Sequence, residues 1–285
     1  MPNTRFVHWL ADVHSTGFCS RKLTMLIASQ AKTGGGRNYS PINNNSNNKK
    51  NMNPFNEFNA NRKTARIAGL WYLVLAIGAG YSWMYITKTF VMGSAALTAQ
   101  NILATETQYV ISIICSLVGQ IGFVFLALAL YRLFKNVNQT QARLMLTLVL
   151  ISVSVMFVNI IFQTSALVFL NRTNYFIAFT KAQVYELTTM FLHLNIIGVY
   201  VVDIFWGLWL LPLAYLTYQS NFFPKIIAFV LVISALGYMV DSLSFLINQE
   251  FHLMLSNYLS IPEALGEVTM LLWLLIKGIS MPGKK

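Results

Sequence analysis

Long stretches without any charged side chain are the feature that most constrains the fold of this 285-residue chain. No Asp, Glu, Lys or Arg occurs in residues 67–87, 107–131, 144–170 or 204–224. About 20 consecutive apolar residues suffice to cross the hydrocarbon core of a bilayer. Only 10% of the chain is charged, whereas soluble domains carry about 25% charged residues. We therefore expect an all-α, polytopic membrane protein that has the lipid bilayer as its main partner.

The hydropathy pattern divides the chain into a bundle of six predicted transmembrane helices. The fifth and sixth helices reach spanning length only if they carry Asp241 and Glu267 into the bilayer. An Ala-rich segment between Thr89 and Thr107 predicts a short interfacial helix in addition. The six expected ranges are about 66 to 87, 108 to 131, 143 to 170, 188 to 218, 225 to 248 and 262 to 280.

Local signals refine the predicted helix ends. Pro224 and Pro262 stand where the first turn of a helix tolerates proline. Ser260 and Glu263 have the spacing of a capping box, which also places a helix start near residue 262. Pro212 falls inside the fourth predicted helix and predicts a kink there.

The distribution of basic residues predicts the orientation of the bundle. Cytoplasmic loops of membrane proteins carry an excess of Lys and Arg. If the amino end is cytoplasmic, ten basic residues flank the inner ends of the helices and three flank the outer ends. Both termini are therefore expected in the cytoplasm. The inner set is Arg62, Lys63, Arg66, Arg132, Lys135, Arg143, Lys225, Lys277, Lys284 and Lys285, and the outer set is Lys88, Arg172 and Lys181.

Residues 1–61 form a basic, Asn-rich segment that is expected to be disordered, because its composition buries little apolar surface. Residues 62–285 then form the transmembrane domain. We hypothesise that Met52 is the true start and that the preceding stretch is a translated leader. The net charge of +11 does not indicate a nucleic-acid partner, because half of the basic residues lie at or before Arg66 and the others mostly flank apolar segments.

Five sequence strings in a fixed order resemble the bacterial membrane family catalogued as domain of unknown function 4386. The resemblance covers roughly residues 62 to 281. It implies a six-helix, multi-pass protein of the bacterial inner membrane with no assigned activity. The strings are RIAGLWYL at 66–73, NILATE at 101–106, FWGLWLLPLAYLTYQSNFFPKII at 205–227, GYMVDS at 237–242 and GEVTMLLWLLIKG at 266–278.

Three carboxylates at bilayer depth are the best leads to a function. A charge there costs at least about 2.5–3.5 kcal/mol on insertion scales, so each carboxylate needs a partner, a proton or water. Asp203, Asp241 and Glu267 qualify, and no Lys or Arg lies at a comparable depth. His193 is the one ionisable partner that the depth estimate offers.

Helix rise gives the depth of each polar residue. Asp241, Glu267, His193 and Gln163 fall near the outer ends of their helices, and Asp203 falls nearer the midplane. Tyr200 precedes Asp203 by three residues, so its hydroxyl is expected to donate to that carboxylate. The pattern predicts a polar cavity that opens to the outer side. Its candidate residues are Asp203, Asp241, Glu267, His193, Tyr200, Tyr238, Gln163 and Asn159.

Three classes of function stay open at this point. The carboxylates favour a small-solute or proton-linked transport or binding protein with a small-molecule ligand. The first alternative is a non-catalytic membrane subunit or sensor, in which Asp241 and Glu267 only fix helix packing. The second is a membrane enzyme acting on a lipid or isoprenoid. HExxH, G-x-S-x-G and P-loop motifs are absent, so we expect no metal and no cofactor, and an enzyme is not favoured.

Overall fold

A computed structural model of the chain describes residues 54–171 and 178–280. The disorder expected for residues 1–61 therefore falls largely outside the described residues and stays a prediction. Arg172, Lys284 and Lys285 of the charge count also lie outside them. All described residues belong to one compact unit, Met52–Lys285.

Seven helices with short connections make up the described part of the chain. Six of them are long and apolar enough to cross a membrane, which confirms the predicted fold class. The seventh, α2, is the short helix that was expected between Thr89 and Thr107. The helices are α1 (Pro54–Thr89), α2 (Ala95–Ala104), α3 (Glu106–Phe134), α4 (Gln139–Asn171), α5 (Lys181–Ser220), α6 (Lys225–Ile247) and α7 (Gln249–Ile276).

The start of the last helix was predicted wrongly. α7 begins at Gln249, and Pro262 lies inside it rather than in its first turn. The cap is Asn248, whose side chain accepts hydrogen bonds from the backbone N–H groups of Glu250 (2.8 Å) and Phe251 (3.1 Å). Asparagine is a favoured N-cap residue. A single extended residue thus separates α6 from α7 and folds α7 back along α6.

Two other helices begin earlier than expected, whereas Pro212 lies inside α5 as predicted. α1 starts at Pro54 rather than near residue 66. α5 starts at Lys181, where the Thr180 and Gln183 side chains form a capping box. Both extensions contain polar residues that a hydropathy pattern does not include in a spanning helix.

The six spanning helices form a ring in chain order. Each packs against the next, and α7 closes the ring against α1. Gly69 permits that closure, because a Cβ at this position would lie 2.9 Å from the backbone nitrogen of Leu275. The short helix α2 packs mainly against α5 at one end of the ring. We call this end the α2 end.

Two apolar cores pack against different parts of α5, and the segment of α5 between them carries the polar residue Asp203. The smaller core, near α2, includes Leu192 and the adjoining Ile196. The larger core surrounds Trp209, whose ring centroid lies 5.1 Å from that of Phe123. Asp203 falls between these two cores along α5. The fold thus surrounds this carboxyl with helices and closes both directions along α5 with apolar side chains.

Candidate functional site

Close packing of α5 against α6 fixes the position of Asp203 along the bundle. The Ser242 hydroxyl donates a 2.6 Å hydrogen bond to the backbone oxygen of Tyr200. One turn beyond Asp203, a Cβ at Gly207 would lie only 2.7 Å from the backbone oxygen of Ala235. The two helices therefore approach closely on both sides of Asp203.

The packing of α6 against α7 brings a second acid to the same level. A Cβ at Gly237 would lie 3.1 Å from the Cγ atom of Glu263, so this glutamate packs directly on the α6 backbone. Glu263 was assigned to a cap at the sequence level and was missed as a site residue. It lies inside α7, one turn before Glu267.

The backbone hydrogen bonding of α7 is altered beside these acids, although the helix continues through them. Pro262 has no N–H to donate, so it removes one hydrogen bond from the helix. The Ser234 hydroxyl inserts next to it, donating to the backbone oxygen of Pro262 (2.5 Å) and accepting from the N–H of Gly266 (3.0 Å). Such insertions are a recognised cause of helix bending. The two glutamates of α7 thus flank an irregular turn that a side chain of α6 supports.

The three predicted acids and Glu263 form one group, which we call the carboxyl cluster (Asp203, Asp241, Glu263 and Glu267). Asp203 lies within electrostatic range of the other three. Asp203 is 5% exposed and Asp241 is 7% exposed, so neither faces an open vestibule. Within the described ranges, no Lys or Arg forms an ion pair with any of the four. The cluster therefore brings four acids together with no Lys or Arg partner among the described residues.

The imidazole next to the cluster belongs to His252 of α7, not to His193. Its Nδ1 atom lies 3.3 Å from Oδ1 of Asp241, and the His252 side chain is almost fully buried. The Ser244 hydroxyl lies 3.2 Å from the same Nδ1. A serine nucleophile and its orienting acid would have to engage opposite nitrogens of the ring. This geometry therefore does not provide a catalytic triad.

Three tyrosines border the cluster. Tyr238 lies within hydrogen-bonding reach of Glu267. Tyr200 interacts electrostatically with Asp241, Asp203 and Glu263, although the expected hydrogen bond from its hydroxyl to Asp203 is not among the contacts of the described residues. The Tyr200 ring stacks on Phe245 with centroids 4.1 Å apart. Tyr72 of α1, the helix next to α7 in the ring, interacts electrostatically with Glu267 and with Tyr238.

Several buried polar atoms in and beside the cluster have no hydrogen-bond partner. Oδ1 of Asp241 lies close to His252 but makes no aligned hydrogen bond, and Oε1 of Glu263 has no partner at all. The Tyr72 hydroxyl and the Trp206 indole N–H are also unpaired. Since buried polar groups are nearly always satisfied by protein or ordered water, this level of the bundle is incomplete without further donors and acceptors.

Three of the predicted residues lie apart from the cluster. Gln163 donates a 2.9 Å hydrogen bond to Ser112, which joins α4 to α3. Asn159 donates to the backbone oxygen of Asn195 (2.9 Å), and Asn195 donates back to that of Asn159 (3.1 Å), which joins α4 to α5. His193 is exposed and stacks on Phe90. The first two side chains thus connect helices, and the third faces outward.

No three His, Cys, Asp or Glu side chains converge closely enough to hold a metal ion in the part of the chain that the structure describes. The carboxyl cluster is spread over three helices instead.

These features define a multi-pass membrane protein with an acidic cluster inside a ring of six helices. The family model described as Domain of unknown function (DUF4386) matches residues 67–278. The chain belongs to this family, as the sequence resemblance implied. No curated protein and no solved structure matches the chain.

Proposed function

We propose that this protein binds or transports a small solute in a step linked to protons held by the carboxyl cluster. One observation carries the proposal: four carboxyl groups from three spanning helices lie together without a Lys or Arg partner in the described ranges. Ionisable residues inside spanning segments typically mark ion, proton or substrate pathways. Uncompensated carboxyl groups at this depth require protons or a cationic ligand.

The unpaired atoms favour this proposal over a purely structural role. Polar residues that only fix helix packing are expected to pair with one another, as Gln163 pairs with Ser112. Asp241 and Glu263 instead have buried oxygens without hydrogen-bond partners. Protons or a bound ligand would satisfy these oxygens.

The altered hydrogen bonding inside α7 also agrees with transport. Transporters commonly place binding groups beside discontinuous helices near the middle of the bilayer. Glu263 and Glu267 flank the turn that contains Pro262 and Gly266. Ser234 bridges this turn from α6. We propose that this turn moves when the cluster exchanges its protons.

The test of proton binding is infrared spectroscopy of the purified protein across a pH range. We expect the C=O stretch of protonated carboxyl groups, and we expect Asp203→Asn to remove part of it. Glu186→Gln is the matched control, since Glu186 is an exposed acid on the same helix. If no protonated carboxyl appears at any pH at which the protein stays folded, the proposal fails.

The second test is transport. The protein is reconstituted into liposomes that contain a pH-sensitive dye, and small cationic, neutral and anionic solutes are added in turn. We expect at least one solute class to change the internal pH, and the change to disappear in Asp203→Asn but not in Glu186→Gln. A pH response that is identical in both variants would contradict the assignment to the cluster.

We also propose the orientation and membrane inferred from the sequence: both termini in the cytoplasm of a bacterial cell and the six helices in its inner membrane. The support is the excess of basic residues on one side of the helices. Labelling of single cysteines in intact cells tests it. A cysteine at Lys135 should resist a membrane-impermeant reagent, and one at Lys181 should react, while the reverse pattern would invert the topology.

A further inference from the structure

We infer that the carboxyl cluster takes a small organic cation, specifically a primary ammonium group, in exchange for protons. The inference rests on the proposed function and names the class of solute. Each ammonium that enters would displace one proton to water, so that the charge inside the ring does not change.

The cluster has an excess of hydrogen-bond acceptors. Oδ1 of Asp241 and Oε1 of Glu263 are buried without a hydrogen-bond partner. Asp203 is 5% exposed and makes no hydrogen bond within the described ranges. An ammonium group has three N–H donors and no acceptor. It would therefore supply both the positive charge and the donors that these three carboxyl groups lack.

The hydroxyl group of Tyr72 provides a second observation that points to a ligand beside the carboxyl cluster. Tyr72 of α1 is 1% exposed, and its hydroxyl has no hydrogen-bond partner. It interacts with Glu267 of the neighbouring helix α7 and with Tyr238 of α6, and its ring centroid lies 6.4 Å from that of Trp209 of α5, so it points into the ring beside the cluster. A hydroxyl oxygen accepts as well as donates. An unpaired hydroxyl at this position indicates that a polar group other than the chain itself occupies the space between these helices.

Aromatic faces lie next to the acids. Tyr200 has Phe245 stacked on its ring and Trp83 at a centroid distance of 6.0 Å. Trp206 and Tyr238 form a second pair with centroids 6.1 Å apart. Aromatic faces attract cations and also accommodate hydrocarbon. The surroundings thus fit an ammonium group attached to an apolar body better than they fit a hydrated inorganic cation.

The sign of the charges disfavours an anionic ligand. The described carboxyl groups do not converge at distances that hold a metal ion. An anionic solute would meet four acids and no Lys or Arg partner in the described ranges. A primary ammonium group carries the opposite charge to the acids, and its N–H groups can bond to one or two of them without requiring three to converge.

The test uses benzylammonium as the probe and thermal unfolding of the purified, full-length protein in detergent as the readout. Three compounds of comparable bulk are the controls. Benzyl alcohol has no charge, benzoate has the opposite charge, and tetraethylammonium has the same charge but no N–H donor. We expect benzylammonium to raise the unfolding temperature most, tetraethylammonium less, and the other two not at all. An equal rise with benzyl alcohol would overturn the inference, since it would require only apolar contact.

Variants link the effect to the cluster. Asp203→Asn should weaken benzylammonium binding by about ten- to a hundredfold, because hydrogen bonds to charged groups are the strong ones. Tyr72→Phe should weaken it by about two- to tenfold. Glu186→Gln, on the exposed face of α5, should leave it unchanged. Equal binding by Asp203→Asn and the wild type would place the ligand elsewhere and overturn the inference.

A second measurement separates this inference from the proposed function. In weakly buffered solution, benzylammonium should release about one proton for each molecule bound. If protonated carboxyl groups are present by infrared spectroscopy and no cation binds, the solute class is wrong while the proposed function stands. If neither protonated carboxyl groups nor cation binding is found, both fail.

Discussion

Two polar regions of the same bundle differ in how completely their groups are paired. Between α3 and α4, Gln163 donates to Ser112, whose own hydroxyl donates to the backbone oxygen of Tyr109. The Tyr109 hydroxyl in turn donates to the backbone oxygen of Gln163. This closed set of hydrogen bonds is the Gln163 network. Among α5, α6 and α7, by contrast, Asp241 and Glu263 retain unpaired buried oxygens.

This difference indicates that the Gln163 network serves helix packing and that the carboxyl cluster has a role beyond packing. Each hydrogen bond between spanning helices stabilises a bundle by about 0.6 kcal/mol on average, and the Gln163 network supplies two, Gln163 to Ser112 and Tyr109 to Gln163. Carboxyl groups without partners supply no such gain, and burying them is unfavourable. A protein that needed only a stable bundle would have apolar residues at Asp203 and Glu263.

The largest expected difference is between the activity of a variant of the carboxyl cluster and that of a variant of the Gln163 network. Asp203→Asn should reduce proton-linked solute exchange by at least about tenfold. Its unfolding temperature should stay equal or rise, because a buried carboxyl group without a hydrogen-bond partner among the described residues is gone. Gln163→Met should keep the exchange and lower the stability. Liposome assays and thermal unfolding of the same preparations measure both quantities. A Gln163→Met variant that loses exchange would remove the distinction between the regions.

The next effect concerns the close packing that holds the cluster together. Gly207→Ala would place a Cβ 2.7 Å from the backbone oxygen of Ala235 and 2.7 Å from Cγ of Met239. We expect a loss of about 1–3 kcal/mol in the free energy of unfolding, as for overpacked cores. Unfolding in mixed detergent micelles measures it. Gly80→Ala is the control, because no atom lies within 4 Å of a Cβ there, and an equal loss in both would show that packing is not the cause.

A smaller effect tests whether the Gln163 network is only structural. Gln163→Met and Ser112→Ala should each lower the free energy of unfolding by about 0.6–1.7 kcal/mol. Because each change removes the same 2.9 Å hydrogen bond, the double variant should lose less than the sum of the two. The double-mutant cycle in mixed micelles measures this coupling. Fully additive losses would mean that the two side chains do not interact.

The spanning helices were predicted well because their signal, a long run of residues without charge, can be read along the chain alone. A charge-free run reports spanning length directly, and the runs that begin near Ile67, Leu144 and Ile204 needed no knowledge of neighbours. The start of α7 was missed because Asn248 and the polar residues after it have the composition of a loop. Pro262 was then taken as a helix start, although Ser234 of another helix supports it inside α7.

The candidate site was predicted in part, for a related reason. Depth along a helix follows from residue number, so Asp203, Asp241 and Glu267 were assigned to the interior together. Depth does not tell which way a side chain faces. His193 was accordingly chosen as the partner of the acids, whereas the imidazole beside Asp241 comes from His252. The tight turn that brings His252 there is a tertiary feature without a local sequence signature.

The smallest expected effect concerns the irregular turn of α7. Ser234→Ala removes the hydroxyl that bridges the backbone oxygen of Pro262 and the N–H of Gly266. These two backbone groups are four residues apart in a helix, so they can bond to each other once the hydroxyl is gone. The net loss in stability should therefore be under about 0.5 kcal/mol. Hydrogen exchange at the Gly266 amide should slow, because a direct hydrogen bond to the backbone oxygen of Pro262 replaces the bond to the serine hydroxyl. Faster exchange at this amide would show instead that the Ser234 hydroxyl stabilises the turn.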